Sequence, residues 1–210
     1  MNVLVMFDRQ TNTLWSQLLG EAVEGPLAGA SLTPVASLQT TWGQWKELHP
    51  ETKALVTNGK GATDPYAEYY NNDFTGASDE THLDTRLPRK ALVTGAVVAG
   101  QAVAYDRTTL RKAQIVNDTV NDVPLLILFD PETATSLVFE RRVGERTLTF
   151  RRGAERLEFL DNETESTWFL LTGRAIAGEL SGTTLARIPS TSAFWFGWKD
   201  WYPKTLVYGE

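Results

Sequence analysis

Cysteine is absent from all 210 residues, which removes disulfides, thiolate metal ligands and cysteine nucleophiles together. Histidine is nearly absent: His49 and His82 stand alone, at no metal-ligand spacing, and read as surface residues. No window approaches the roughly 20 apolar residues needed to span a bilayer, and residues 1–10 lack the basic start and apolar run of a signal peptide. There is no G-x-S-x-G elbow, H-E-x-x-H helix, phosphate loop or dinucleotide fingerprint, so the familiar hydrolase, metalloprotease and nucleotide readings have no motif to stand on. Neither a cofactor nor a metal is expected. Excess positive charge is missing too. The net charge is -6, and residues 1–87 hold 11 acidic and five basic side chains against 15 of each in 88–210. An acidic surface repels phosphate backbones, so nucleic acid is not an expected partner.

What is abundant is tryptophan, seven in this length. Comparing the chain with itself at an offset of 153 aligns residues 8–55 with 161–208 without a gap, and 16 of the 48 positions are identical. Asp8 pairs with Asp161, Thr11 with Thr164, Trp15 with Trp168, and Gly20, Gly25 and Gly29 with Gly173, Gly178 and Gly182. Trp42, Trp45, Pro50 and Thr52 pair with Trp195, Trp198, Pro203 and Thr205. Glycine supplies backbone angles that other residues resist and tryptophan supplies large buried area, so one backbone plan explains both sets.

The fold class expected is mainly β: antiparallel meander sheets in two homologous modules, the first incomplete, each with a short aromatic helix. The hairpin 91–98/101–105 turns at Ala99-Gly100. Residues 107–122 are of uncertain form, and short strands follow at 124–129, 136–142, 146–151, 156–160 and 167–171, separated by turn chemistry. Thr41-Trp42-Gly43-Gln44 resembles a capping box, and Trp195, Trp198 and Trp201 repeat a helical spacing; Pro50 and Pro203 stop the two helices. The domains expected are a half module at 1–56, an acidic linker at 57–87 and a complete module at 88–210. A strand at 3–7 in the half module needs a neighbour. Either the natural protein is longer at its N-terminus, or the modules share a sheet, or the chain forms a homodimer through this unpaired edge.

Several residues invite a chemical reading beside a structural one. Asp8 and Asp161 are symmetric carboxylates, and glycoside hydrolysis uses a carboxyl pair; each also opens a D-x-x-T turn in which aspartate caps its own backbone, the preferred reading. Asn117-Asp118 suits a ligand, but better an Asx turn. Trp195, Trp198 and Trp201 could stack on a sugar or cation, although core packing is preferred. The six arginines of 141–156 alternate with Leu148 and Phe150 as on the solvated face of a hairpin. Asp64, Glu68, Asp73, Asp79 and Asp84 offer oxygen ligands for calcium at no loop spacing, and read as a solvated linker.

The segments DRQTNTLWSQLLGEAVEGPLAG, TTWGQWKELHPET, DPYAEYY, RLPRKALVTGAVVAGQAVAYD, IVNDTV, LVFERRVGERTLTF and AFWFGWKDWYPKT together resemble the bacterial and archaeal family known as domain of unknown function 3179. The resemblance implies mostly extracytoplasmic proteins with no assigned activity, and relatives with a His-Glu pair and a Tyr-Cys-Pro-x-Cys-Gly segment. Here the corresponding positions read Ala113-Gln114, and Asp130 and Thr133, so metal or redox chemistry held there in relatives is not expected of this chain. The function expected is a non-catalytic binding or structural module whose partner is a small molecule or a protein. The alternatives are a carboxylate-based hydrolase using Asp8, Asp161 or Asp118 in an inter-module cleft, and the remnant of a metal or redox protein.

Overall fold

A computed structural model describes residues 3–55, 66–75 and 80–210. The elements run β1 (Val5–Phe7), β2 (Leu14–Ser16), β3 (Glu21–Glu24), α1 (Trp42–Leu48), α2 (Ala67–Tyr70), β4 (Leu92–Val98), β5 (Gln101–Asp106), α3 (Arg107–Ala113), β6 (Ile115–Val120), β7 (Val123–Asp130), β8 (Thr135–Glu140), β9 (Arg142–Val143), β10 (Arg146–Thr147), β11 (Phe150–Arg152), β12 (Glu158–Asp161), β13 (Thr167–Phe169), β14 (Arg174–Ala177), β15 (Arg187–Ile188), β16 (Ser190–Phe194), α4 (Trp195–Trp201) and β17 (Leu206–Val207). The chain is mostly strand, in several antiparallel sheets with few short helices.

Three four-stranded sheets carry the core: β16-β4-β5-β17, β15-β8-β7-β6 and β11-β12-β13-β14. Strand β7 explains why they stack. Its run Pro-Leu-Leu-Ile-Leu-Phe-Asp is buried throughout, and because successive side chains point to opposite faces, both faces must be covered. Leu126 and Leu128 pack with Phe150, Phe159 and Trp168 of the third sheet. Leu125 and Ile127 pack with Val103, Tyr105 and the α3 residue Leu110. On the far side of the first sheet, Ala102 and Ala104 leave room for Trp195 and Trp198 of α4.

Gly95 is the tightest point of that contact. A β-carbon there would lie 2.3 Å from the Trp198 ring, so the indole rests directly on the β4 backbone. Two hairpins close through paired left-handed residues, Ala99 (φ 46°) with Gly100 (φ 80°) and Asn121 (φ 45°) with Asp122 (φ 62°). That geometry matches the twist of the flanking strands.

The meander expected for residues 91–171 holds for β6-β7-β8 and β11-β12-β13-β14. Beyond residue 171 the pairing is no longer sequential: β15 joins β8, β16 returns to β4, and β17 adds to β5 in parallel. Turn chemistry marks where strands stop but carries no information on such distant pairing. Residues 107–122, left without form by the sequence, are α3 and β6. The Asx turn expected at Asn117-Asp118 is instead the middle of β6, where the Asn117 side chain exchanges two bonds with the Phe150 backbone at 2.8 and 2.9 Å.

The first 55 residues form the three-stranded sheet β1-β2-β3, then an extended segment and α1. Among the described residues strand β1 pairs with β2 on one side only, and Leu4, Val5, Met6 and Phe7 are all exposed. Of the acidic linker, Asp64 and Asp79 lie outside the described residues. Its described end is tied to α4: Lys199 meets Glu80 at 2.7 Å, the Thr81 and His82 amides donate to Asp200, and the Trp195 indole donates to the Asp84 carbonyl at 3.1 Å.

Two glycine substitutions should separate close packing from mere conformational freedom. Gly95→Ala overpacks the Trp198 contact and is expected to cost about 1–3 kcal/mol of stability. Gly43→Ala, in α1 with nothing within 4 Å, is expected to gain about 0.5–1 kcal/mol from helix propensity. Urea denaturation of both variants checks this.

Candidate functional site

Asp8 and Asp161 both close their own turns. The Thr11 amide and hydroxyl donate to the Asp8 carboxylate at 2.6 and 2.7 Å, and the Trp15 indole donates at 3.1 Å. At Asp161 the same three donors are the Thr164 amide (2.5 Å), the Thr164 hydroxyl (2.8 Å) and the Trp168 indole (2.9 Å). Thr13 and Ser166 then accept the Leu27 and Leu180 amides, 14 residues on in each case. At Gly25 and Gly178, with φ of +104° and +91°, a β-carbon would sit 2.9 and 2.6 Å from the α-carbons of Thr13 and Ser166.

These bonds set the electrostatics. The Thr11 hydroxyl, the Thr11 amide and the Trp15 indole hold Asp8 down to about 2. Burial pushes Asp161 up, but Trp168, Thr164 and the Ser166 amide outweigh it and keep the carboxyl below its ordinary value. A carboxyl stabilised as its anion is poorly suited to donate a proton, and neither group has the raised pKa of a general acid. Asp118 accepts the Tyr105 hydroxyl at 2.9 Å and the Thr119 amide at 2.8 Å. The Tyr105 phenol is pushed upward by burial and by that neighbour.

Core packing is the preferred reading of Trp195, Trp198 and Trp201, with a stacking surface as the alternative. Trp195 and Trp198 are buried, with their rings against the small residues of β4 and β5. Trp201 is half-buried. The indole of Trp198 donates to Thr205 at 2.9 Å, and that of Trp45 donates to Thr52 at the same distance. His49 is exposed and lies 4.2 Å from the Trp45 ring, centre to centre. Of the arginines in 141–156, Arg141 is half-buried, donating to the Leu148 carbonyl at 2.8 Å and to the Leu125 carbonyl at 3.2 Å, and the other five are exposed.

A third aspartate turn escaped the sequence comparison. Asp130 accepts the Thr133 hydroxyl at 2.7 Å, Thr133 bonds Thr135 at 2.7 Å, and Ala134 has φ 55°, as do Asn12 and Glu165 in the other two turns. The pattern D-x-x-T-x-[ST] was there to be read as DPETAT, but it lacks the following tryptophan. In place of the indole, Gln44 of α1 donates to Asp130 at 3.1 Å and Arg156 at 2.6 Å. Gln44 also accepts the Thr133 and Thr135 hydroxyls at 3.1 Å. The capping box is therefore half right: Thr41 caps the Gln44 amide at 3.3 Å, while the Gln44 side chain turns inward to Asp130. Burial pushes Asp130 up, yet Thr133, Arg156, the Glu132 amide and Gln44 hold it below its ordinary value. Residues 113–114 adjoin this turn, since the Gln114 carbonyl accepts the Phe129 amide at 2.8 Å.

Beside the third turn lies a cavity of about 260 Å³. Gln17, Ser37 and Gln39 form one wall, and Thr94 of β4, Ser136 of β8 and residues 190–192 of β16 form the other. Arg107 is the single charged residue in the lining. Its guanidinium donates to the Ala134 carbonyl and to the Ser192 hydroxyl (3.4 Å), and lies 5.6 Å from the centre of the Phe129 ring. Among the described residues there is no cluster of three or more His, Asp or Glu side chains suited to a metal ion.

Two outcomes follow from the turns. Gln44→Ala leaves a buried carboxylate short of a donor and should cost about 1–3 kcal/mol in chemical denaturation. In the folded chain Asp8, Asp130 and Asp161 are held below the ordinary aspartate value of 3.8. The stability they contribute is present in full above that value and is lost as the pH falls through their folded values. Denaturation midpoints should therefore be flat above about pH 5 and decline toward about pH 2.

No curated protein and no solved structure matches the chain significantly. Residues 1–205 match the family described as Protein of unknown function (DUF3179). That match spans the aspartate turns, both aromatic helices and every residue lining the cavity, and the chain belongs to this family.

Proposed function

We propose that this chain is a binding module without catalysis of its own, built from two homologous units at 1–56 and 88–210 joined by the linker 57–87, the first unit incomplete. The observation that carries the reading is the saturation of its carboxylates. Asp8, Asp130 and Asp161 each accept three or more hydrogen bonds from nearby side chains and amides. Groups bonded in this way serve to fix turns. Homology of the units is supported by bonds that recur 153 residues apart: Asp8–Trp15 with Asp161–Trp168, Trp45–Thr52 with Trp198–Thr205, and the bridge Glu21–Ser31 with Arg174–Thr184.

The partner in this reading is a small molecule or a protein. A homodimer through the free side of β1 belongs to it, because the corresponding edge of β12 is covered by β11. An extracytoplasmic location is drawn from the family resemblance alone.

Asp161→Asn tests the reading when stability and hydrolysis of chromogenic glycosides and esters are measured together. The expected result is a loss of about 1–3 kcal/mol, from the altered donor pattern, with no turnover by either protein. Turnover by the unaltered chain that disappears in a fully folded Asp161→Asn variant would overturn it.

A further inference from the structure

The cavity beside Arg107 combines two features that do not explain each other. Eight of its nine lining residues carry neutral hydroxyls or amides, and the ninth is a guanidinium. No carboxylate among the described residues lies within 4.0 Å of that guanidinium, whereas Arg86 finds Asp84 at 2.7 Å and Arg146 finds Glu179 at 2.7 Å. Burial lowers the Arg107 pKa, and the charge of Arg111 lowers it further, yet an arginine stays charged in proteins. A cation drawn out of water is normally paired. Here the fold supplies only a carbonyl and one long hydroxyl contact, leaving three of the five N–H donors without a protein acceptor among the described residues.

Arg187 adds to the same imbalance. Burial lowers its pKa as well, and it donates to the carbonyl of Ser37, a wall residue, at 3.0 Å with no carboxylate partner among the described residues. In a chain of net charge -6, a concavity flanked by arginine and lined by no acid presents a local reversal of sign. A guanidinium with spare N–H groups binds carboxylate or phosphate oxygens in pairs. The hydroxyls around it both donate and accept, the match for a ligand that itself carries hydroxyls. Thr94 already donates to Ser136 at 2.9 Å, which leaves the Ser136 proton free to turn into the cavity. At about 260 Å³ the space falls just under the roughly 300–1,000 Å³ of pockets for drug-sized ligands, which sets the ligand at the scale of a small metabolite.

We propose that this cavity is a binding site for a small hydroxylated oxyanion, with its carboxylate or phosphate on Arg107 and its hydroxyls on Thr94, Ser136 and the 190–192 run. The proposal rests on the reading of the chain as a binding module and adds the site and the ligand class.

The test is titration of the full ¹⁵N-labelled chain with gluconate, glucose 6-phosphate and neutral glucose at constant ionic strength, followed by amide chemical shifts. Gluconate or glucose 6-phosphate should shift residues 94, 136 and 190–192 and bind at least about tenfold more tightly than glucose; whichever binds better assigns the anion as carboxylate or phosphate. Arg107→Gln should weaken binding at least about tenfold, and Arg146→Gln, whose partner is the exposed Glu179, should leave it unchanged. Should Arg107→Gln not fold, Ser136→Ala takes its place, with several-fold weaker binding expected. No shift with either anion up to about 10 mM, equal binding of glucose, or full binding by Arg107→Gln would overturn the site. Conversion of either probe to product would instead overturn the non-catalytic reading and leave the site standing.

Discussion

An ionised carboxylate removed from water keeps its charge only if the fold returns the hydrogen bonds it has lost. In this chain the return comes from a six-residue turn in which a threonine three positions on bonds the carboxylate and a second hydroxyl two further on bonds the threonine. A left-handed residue between the two hydroxyls brings them together. The turn joins consecutive strands three times, at Asp8, Asp130 and Asp161, and each time a further donor arrives from beyond the turn. For Asp8 and Asp161 that donor is an indole, which locks the turn to the sheet it begins. For Asp130 it is Gln44 together with Arg156, which locks separate parts of the chain to each other. That last difference ties the first 55 residues to the rest, beside the Tyr202 bond to the Leu18 carbonyl, the Arg187 bond to the Ser37 carbonyl and the packing of Leu18, Leu38 and Leu48 on the core.

The elements that could be read from sequence were those whose cause is local. Ala99-Gly100 and the prolines after both aromatic helices act within a few residues, and the offset of 153 exposed the Asp8 and Asp161 turns because their tryptophans are rare enough to align. The Asp130 turn carries the same D-x-x-T-x-[ST] pattern but no following tryptophan to align, and its outside donor Gln44 lies 86 positions away. The same limit applied to Asn117, whose side chain bonds the Phe150 backbone across 33 positions and so turns an expected bend into a strand. The aromatic helix of 195–201 was read correctly as a helix. Its rings were left open as a stacking surface because the alanines and the glycine that receive them come from other strands.

The candidate site was less legible than the fold. Arg107 follows a strand and opens a seven-residue helix, with nothing in its neighbourhood to suggest chemistry. Its partners in the cavity come from five separate stretches of chain, contributing single serines, threonines and glutamines of the kind that sequence reading assigns to solvated loops. What distinguishes the place is a charge without a counter-charge among the described residues, and that becomes visible only once the neighbouring side chains have positions. The carboxylates drew attention first because acid chemistry is easy to name, and Asp8, Asp130 and Asp161 are each bonded into a turn.

The cluster at Asp130 also bears on the order in which the chain acquires its structure. Its bonds close over separations of 86 to 95 residues, whereas the hairpins of β4 to β8 close over a few. Loop closure of that length costs more entropy than a hairpin turn, and it is repaid only once the receiving turn already exists. Residues 3–55 are synthesised before residues 130–135 and must wait for them before Gln44 has anything to bind. Until then Leu38 and Leu48, which pack against the Phe150–Phe159–Trp168 core in the finished fold, lack their partners, so the order of synthesis sets how long those side chains stay open to unwanted association.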